Sequence, residues 1–345
     1  MPARQSCLLA ARLRRVPDTA NIPEQTDPNR QVRLVEVPVH ADGQRLDNFL
    51  LTQLKGVPKS HVYRLIRKGE VRVNKKRAQA DTRLKSADLV RVPPVRVAAR
   101  EAVQPPGEAL RALLRDAILF ENQDILVVNK PQGLAVHLGS GLQTGLIEAL
   151  RWMRAQEEGT ENAYLELVHR IDKDTSGCVL IAKNSLILKA LQKEFKVKNI
   201  TKRYQMIVHG RWPATLLTID APLQRRDIEN NEKIVTVDPA GKASVTHFRL
   251  LEDLGSVSLV EASPLTGRTH QIRVHAQHAG HPIVGDPKYT LAQPDALDRQ
   301  YQLCLHAASI AFRMPDGEAV EVHAPLQENM SRLLESLRRQ PRRRS

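Results

Sequence analysis

Two aspartates one residue apart, Asp172 and Asp174, stand in the stretch Leu167-Val168-His169-Arg170-Ile171-Asp172-Lys173-Asp174-Thr175-Ser176-Gly177, just ahead of the apolar run Cys178–Ala182. A polar, doubly acidic loop at the mouth of a buried strand is a place where a carboxylate can meet a substrate. The same residues also suit a turn in which both aspartates accept hydrogen bonds from backbone amides. Residue types alone leave these two readings level. Other motifs carry less. Gly139-Ser140-Gly141-Leu142-Gln143-Thr144-Gly145 has too long a final gap for a dinucleotide loop and lacks the Lys-Ser/Thr of a phosphate loop. His169-Arg170-Ile171-Asp172 departs from a kinase catalytic loop by one inserted residue and by the absent asparagine spacing. His270, His275, His278 and His281 lack the spacing of a zinc-binding helix, so a packed or ligand-facing helix explains them and no metal is expected.

The elements that must position these residues follow from apolar periodicity. Ile118–Phe120, Ile125–Asn129, Cys178–Ala182, Tyr204–His209 and Val257–Ala262 read as strands, and Gly145–Arg154, Leu186–Phe195 and His270–Ala279 as helices. This alternation predicts an α+β domain with a mixed or antiparallel sheet over residues 113–330. Ahead of it, Leu46, Phe49, Leu50 and Leu54 recur at helical spacing. Ser60 then reads as the N-cap of a second helix holding Val62, Leu65 and Ile66, with Gly69 as its stop. Val71–Val73 and Asp88–Val92 alternate like strands, giving a small helix-helix-sheet domain over 31–95. Pro93-Pro94 and Gln104-Pro105-Pro106-Gly107 mark residues 96–112 as a linker. Residues 1–30 and 331–345 read as disordered basic tails.

Composition narrows the function. The 345 residues carry 52 Lys and Arg against 38 Asp and Glu, a formal charge of +14. With 41% hydrophobic and 26% charged residues the chain can bury a core, and no apolar run approaches the ~18 residues of a membrane span. Three scattered cysteines, Cys7, Cys178 and Cys304, exclude a disulfide framework and a thiolate zinc site and fit a reducing compartment. The surplus charge is concentrated: residues 32–92 hold 14 Lys and Arg against six Asp and Glu. Lys59, Arg64, Arg67 and Lys68 on the second helix, and Arg72, Lys75, Lys76 and Arg77 on the strand and turn beyond it, form a patch suited to phosphate contacts. A polyanion, most simply RNA, is the expected partner.

Two resemblances sharpen this. The stretch Arg45–Arg91, with R-L-D-x-F-L followed by S-x-x-Y-R-L-I-R-K-G-x-V-R-V-N, resembles the RNA-binding domain named after the fourth small-subunit ribosomal protein. His169-Arg170-Ile171-Asp172-x-x-Thr175-Ser176-Gly177 resembles the H-R-L-D-x-x-T-S-G signature of pseudouridine synthases that modify large-subunit ribosomal RNA. Asn129-Lys130-Pro131-x-Gly133, Lys202-Arg203-Tyr204, Thr266–His275 and Leu305-His306-Ala307 resemble that family's other motifs and stand in the family's order. Lys55–Ser60 and Glu70–Lys76 are most similar to the branch called large-subunit synthase C. Ile171 and Ile272 stand where the family more often has leucine.

The resemblance implies a cofactor-free isomerisation of 23S rRNA uridines by a cytoplasmic monomer with no metal, no membrane attachment and no obligate protein partner. It places Asp172 at C1′ of an everted nucleotide, paired with Arg273 for charge and aim. Tyr204 would stack on the target base and move a proton at C5, Arg170 would fill the place the base leaves, and Leu305 would line the pocket. A synthase acting on transfer RNA, or on both RNAs, would share every catalytic motif. A non-catalytic RNA-binding assembly factor is the alternative of another class.

Overall fold

The computed structural model describes residues 32–54, 57–95, 105–137, 144–160, 163–227 and 233–339. The expected tail 1–30, Lys55 and the first part of the expected linker, 96–104, lie outside these residues. The chain divides into two compact units, Met1–Ala102 and Val103–Ser345.

In the first unit, α1 (Leu46–Gln53) buries Leu46, Phe49 and Leu50, and α2 (Lys59–Lys68) buries Val62, Leu65 and Ile66. These side chains pack on Val90 and Val92 of a four-stranded sheet. Its strands are β1 (Arg33–Glu36), β2 (Arg72–Val73), β3 (Lys76–Arg77) and β4 (Leu89–Val92), in the order β1-β4-β2-β3. Gly69 ends α2 with φ of 72°, a left-handed conformation that glycine adopts without steric cost. Two local expectations change. Pro58, not Ser60, caps α2: its carbonyl accepts from His61 and Val62, and its fixed φ starts the helix directly at Lys59. The turn after β2 is only Asn74-Lys75, both at positive φ (49° and 69°), so Lys76 and Arg77 return as the edge strand β3.

The second unit opens with α3 (Glu108–Asp116), which begins inside the expected linker because Leu114 is fully buried and Leu110 packs on the core. There follow β5 (Ile118–Glu121), β6 (Ile125–Lys130), α4 (Leu146–Glu158), β7 (Glu166–Leu167), β8 (Ser176–Ala182), α5 (Ser185–Lys196), β9 (Thr201–His209) and β10 (Thr218–Asp220). The hairpin β11 (Leu223–Asp227) and β12 (Lys233–Val237) stands apart from the main sheet. Then come β13 (Val245–Asp253), β14 (Val257–Pro264), α6 (Gln271–His278), α7 (Ala296–Gln300), β15 (Leu305–Arg313), β16 (Ala319–His323) and α8 (Glu328–Arg339). The main sheet runs β10-β13-β14-β9-β15-β8-β6-β5, with β16 beside β15 and β7 beside β8. Its pairings are antiparallel except β15 with β8. The unit is therefore α+β with a mixed sheet.

Helix α8 corrects the expectation of a tail from residue 331. Met330, Leu333, Leu334 and Leu337 recur at helical spacing and are all buried, and Arg338 Nη2 lies 2.7 Å from Glu252. Residues 340–345 lie outside the described residues.

The parallel junction of β8 and β15 sits beside the acidic loop and tolerates no side chain at one point. Gly177 has φ of 106°, and a Cβ there would lie 2.3 Å from the carbonyl oxygen of Ala307. Next to it, Ser176 Oγ donates to His306 Nδ1 at 2.8 Å while His306 Nε2 donates to the Ala324 carbonyl. Both ring nitrogens are thus committed to a neutral imidazole, and burial pulls the His306 pKa down to about 4. His169 is pulled down to about 3, likewise by burial, and its Nε2 accepts the Leu180 amide. In the unfolded chain both would titrate near 6.5. Below that value the unfolded state binds protons the fold refuses, so stability is whole above pH 6.5 and falls as pH drops toward 4. Each histidine adds a slope of about 1.4 kcal/mol per pH unit in that window. Urea midpoints taken from pH 7.5 to 4.5 should fall accordingly, and His306→Gln should flatten the curve; a midpoint constant to pH 5 would contradict this.

Candidate active site

The loop between β7 and β8 carries Asp172. It is held from both sides by backbone contacts rather than by its own carboxylates. The Thr175 amide donates to the Asp172 carbonyl at 3.2 Å, and Val168 donates to the Leu180 carbonyl. Lys130, wholly buried at the end of β6, donates to the carbonyls of Pro131, Leu134 and Lys173 at 2.8–2.9 Å. Burial pulls its pKa down to about 7, against the opposing charges of Asp174 and Asp172. Gln132 Nε2 adds bonds to the carbonyls of Asp174 and Leu303. The Asn-Lys-Pro and Thr-Ser-Gly stretches are therefore one clamp on the acidic loop. The Asp172 carboxylate is left to face a cleft, with 25% of its side chain exposed.

That cleft, about 300 Å³, is lined by Arg170, Asp172, Lys202, Tyr204, Arg273 and Leu305 among others. Every residue expected from the sequence to act on the nucleotide lies there. Tyr204 reaches it from β9, whose two neighbours β14 and β15 place Ala262 and Ala307 beside it and leave room for the ring. Burial first, then the charge of Asp172, pushes the phenol above its ordinary pKa, so it stays neutral. Leu305, 3% exposed, starts β15, and Arg170 is exposed.

Arg273 comes from α6 and is only 3% exposed. Its Nη1 lies 3.8 Å from Asp172 Oδ2, a long ion pair, whereas Nε and Nη2 donate to Asp286 at 2.7 and 2.6 Å. The expected Asp172–Arg273 pairing is thus present, but Asp286 is what fixes the guanidinium. Asp286 is itself pinned by the amides of Lys288 and Tyr289, and the Tyr289 ring lies 5.0 Å under the guanidinium. A buried bidentate pair of this kind sets direction as well as charge.

The sequence reading held His270 only as one of four clustered histidines and did not single out Tyr289; the structure brings both to the cleft's guanidinium and carboxylate. His270 has φ of 54° without being glycine, a backbone state that persists only where the surroundings impose it. Its Nδ1 meets the Tyr289 hydroxyl at 2.8 Å, and that hydroxyl accepts the Val235 amide from β12. With that amide accepted, the phenol proton is free to go to Nδ1, and His270 Nε2 lies 4.0 Å from Asp172 Oδ2. The Gly285-Asp286-Pro287-Lys288-Tyr289 turn, an acid and an aromatic fixed by glycine and proline, was the available signal. Of the other histidines in this region, two are structural: His275 bonds Thr246 and the Ala221 carbonyl, and His281 bonds the His209 carbonyl, whereas His278 is exposed. Gln271 ties the preceding turn together through Thr266, Arg268 and Val245.

In the first unit, Lys59, Arg64, Arg67, Lys68, Arg72, Lys75, Lys76 and Arg77 are all exposed. Arg77 Nη2 donates to the Arg67 carbonyl at 2.6 Å, which draws the β3 end of the patch onto α2. Behind them Asp47 accepts from Arg45 and Tyr63, and the Arg45 guanidinium holds its carboxyl down to about 2.

Comparison with known proteins follows the same division. Residues 44–90 match the S4 domain and residues 124–278 match the RNA pseudouridylate synthase family. The chain is 47% identical over 315 residues to the ribosomal large subunit pseudouridine synthase C of Vibrio cholerae, covering 89% of this chain and 98% of that one. It is 47% identical over 318 residues to the protein of the same name from Escherichia coli K12, covering 89% and 97%. Among solved structures, human RNA pseudouridylate synthase domain containing 4 superposes with a TM-score of 0.57 at 26% identity, over 67% of this chain and 96% of that one. With the carboxylate, the anchored guanidinium and the buried phenol converging on one cleft, the chain belongs to the RNA pseudouridylate synthase family.

Proposed function

We propose that the chain isomerises uridines of large-subunit ribosomal RNA to pseudouridine, and that Asp172 is the group acting at C1′. The observation that carries this reading is the Asp172 carboxylate, held facing the cleft with Arg273 at 3.8 Å. The similarity to synthases named for the large ribosomal subunit supports the substrate. The bond from C1′ to N1 breaks, with its electron pair leaving on the uracil, while the carboxylate attacks or stabilises the sugar carbon. The base turns and C5 joins C1′. The hydrogen on C5 is lost and one is gained at N1, so product and substrate are isomers and neither redox cofactor nor metal is required.

Tyr204, a neutral phenol, stacks on the uracil and relays the proton leaving C5 rather than keeping it. Arg170, exposed at the cleft, takes the place of the everted base, and Leu305 forms the apolar floor. The exposed cations from Lys59 to Arg77 in the first unit grip phosphates and hold the RNA by its shape. The protein works as a monomer in the cytoplasm. No helix among the described residues is long and apolar enough to cross a membrane.

The test is incubation of the full chain with an unmodified 23S rRNA transcript, followed by pseudouridine mapping. New pseudouridines at discrete positions are expected. RNA that is bound yet unmodified would overturn the reading.

A further inference from the structure

One cation in the cleft has no role in the scheme above. Lys202 lies two residues before Tyr204 on β9, so both side chains stand on the same face of the strand. It lines the cleft together with His169, Arg170 and Phe195. Its ammonium stands 5.6 Å from the Phe195 ring centroid, and Phe195 stacks in turn on His169 at 5.1 Å. His169 is a neutral, committed imidazole and supplies no negative charge. Among the described residues no carboxylate pairs with Lys202, and burial lowers its pKa without any acidic group opposing the shift. The contrast with Lys130 is direct: that lysine, wholly buried, is saturated by three carbonyls, whereas Lys202 is half-buried at the cleft. A partly buried cation left without an anion is unfavourable unless a ligand supplies one.

We propose that Lys202 is a phosphate subsite of the cleft, binding a backbone phosphate of the RNA strand next to the everted nucleotide. The inference rests on the proposed reaction only for the identity of the RNA. The strand spacing fixes the geometry. Tyr204 on the base and Lys202 one side-chain step along the same face would hold the base and its own backbone at once. An aromatic ring under the ammonium suits this task, since it supports a cation without neutralising it.

The experiment compares the full-length wild type with Lys202→Met and Lys202→Arg in single-turnover pseudouridine formation on a 23S rRNA fragment, across a KCl series. RNA affinity is measured in parallel. Lys202→Met should raise KM and Kd about tenfold or more while the rate at saturation moves by less than about threefold. The slope of log affinity against log salt should shrink by about 0.7–0.9, the loss of one phosphate contact, and Lys202→Arg should restore it. The melting temperature of Lys202→Met should hold or rise, because an enclosed charge has been removed.

An unchanged salt slope, or a fall in the saturating rate with KM unaltered, would overturn the proposal. So would a sharp loss of thermal stability, which would make Lys202 a structural residue. If the wild type forms no pseudouridine while the affinity and slope effects persist, the reaction fails and the phosphate subsite stands.

Discussion

Asp172→Asn should abolish pseudouridine formation, lowering the single-turnover rate by roughly 10⁴-fold or more, while the RNA stays bound. The substitution keeps size and shape and removes only the charge and one oxygen's basicity. Asp172 accepts no backbone amide among the described residues, and its loop is held by Lys130, Gln132 and Thr175 instead. Stability should therefore move by less than about 0.5 kcal/mol. An amide can neither attack C1′ nor balance positive character there, so the effect falls on the chemical step. The check is quenched single-turnover mapping alongside filter binding. A variant within tenfold of the wild-type rate would show that another group acts on the sugar.

The second large effect concerns a residue outside direct reach of the nucleotide. Asp286→Ala leaves the Arg273 guanidinium enclosed without its partner, since the two side chains are 0% and 3% exposed. Removing one member of a buried pair costs about 3–5 kcal/mol, mostly as the stranded charge. Activity should fall too, because Nη1 would no longer be held 3.8 Å from Asp172. A double variant, Arg273→Met with Asp286→Leu, separates the two consequences. It should recover only the part of the stability lost to the stranded charge, since the Lys288 and Tyr289 amides still lack their acceptor, and none of the activity. Urea unfolding and single-turnover rates measure both. An Asp286→Ala protein with an unchanged urea midpoint would refute the anchoring role.

How far the sequence foretold this depends on what each element buries. Strand β8 was legible because Ser176–Ala182 is buried on both faces and so reads as a continuous apolar run. Helix α2 was legible because one stripe of Val62, Leu65 and Ile66 contrasts with the cations around it. Strand β15 was not: His306 and Ser309 interrupt its apolar pattern, yet both are buried, and His306 is satisfied by Ser176 and Ala324 across the chain. Tertiary partners, one of them 130 residues away in sequence, made a buried histidine acceptable there. Helix α8 was hidden by the arginines that surround its leucines. The cleft residues were legible through the family's motifs, not through spacing. Asp286 was not, because a single aspartate in a Gly-Asp-Pro turn looks like any turn until Arg273 is seen bound to it.

The position of β15 governs the order in which this enzyme can be built. It lies between β9 and β8 and supplies the Ala307 backbone against Gly177 and Leu305 to the cleft wall, yet of the described strands only β16 follows it. A ribosome making this chain emits the acidic loop long before the strand that seats it, and the half-sheet must wait with two open edges. The cleft therefore cannot close in the nascent protein until β15 has emerged and inserted between β8 and β9.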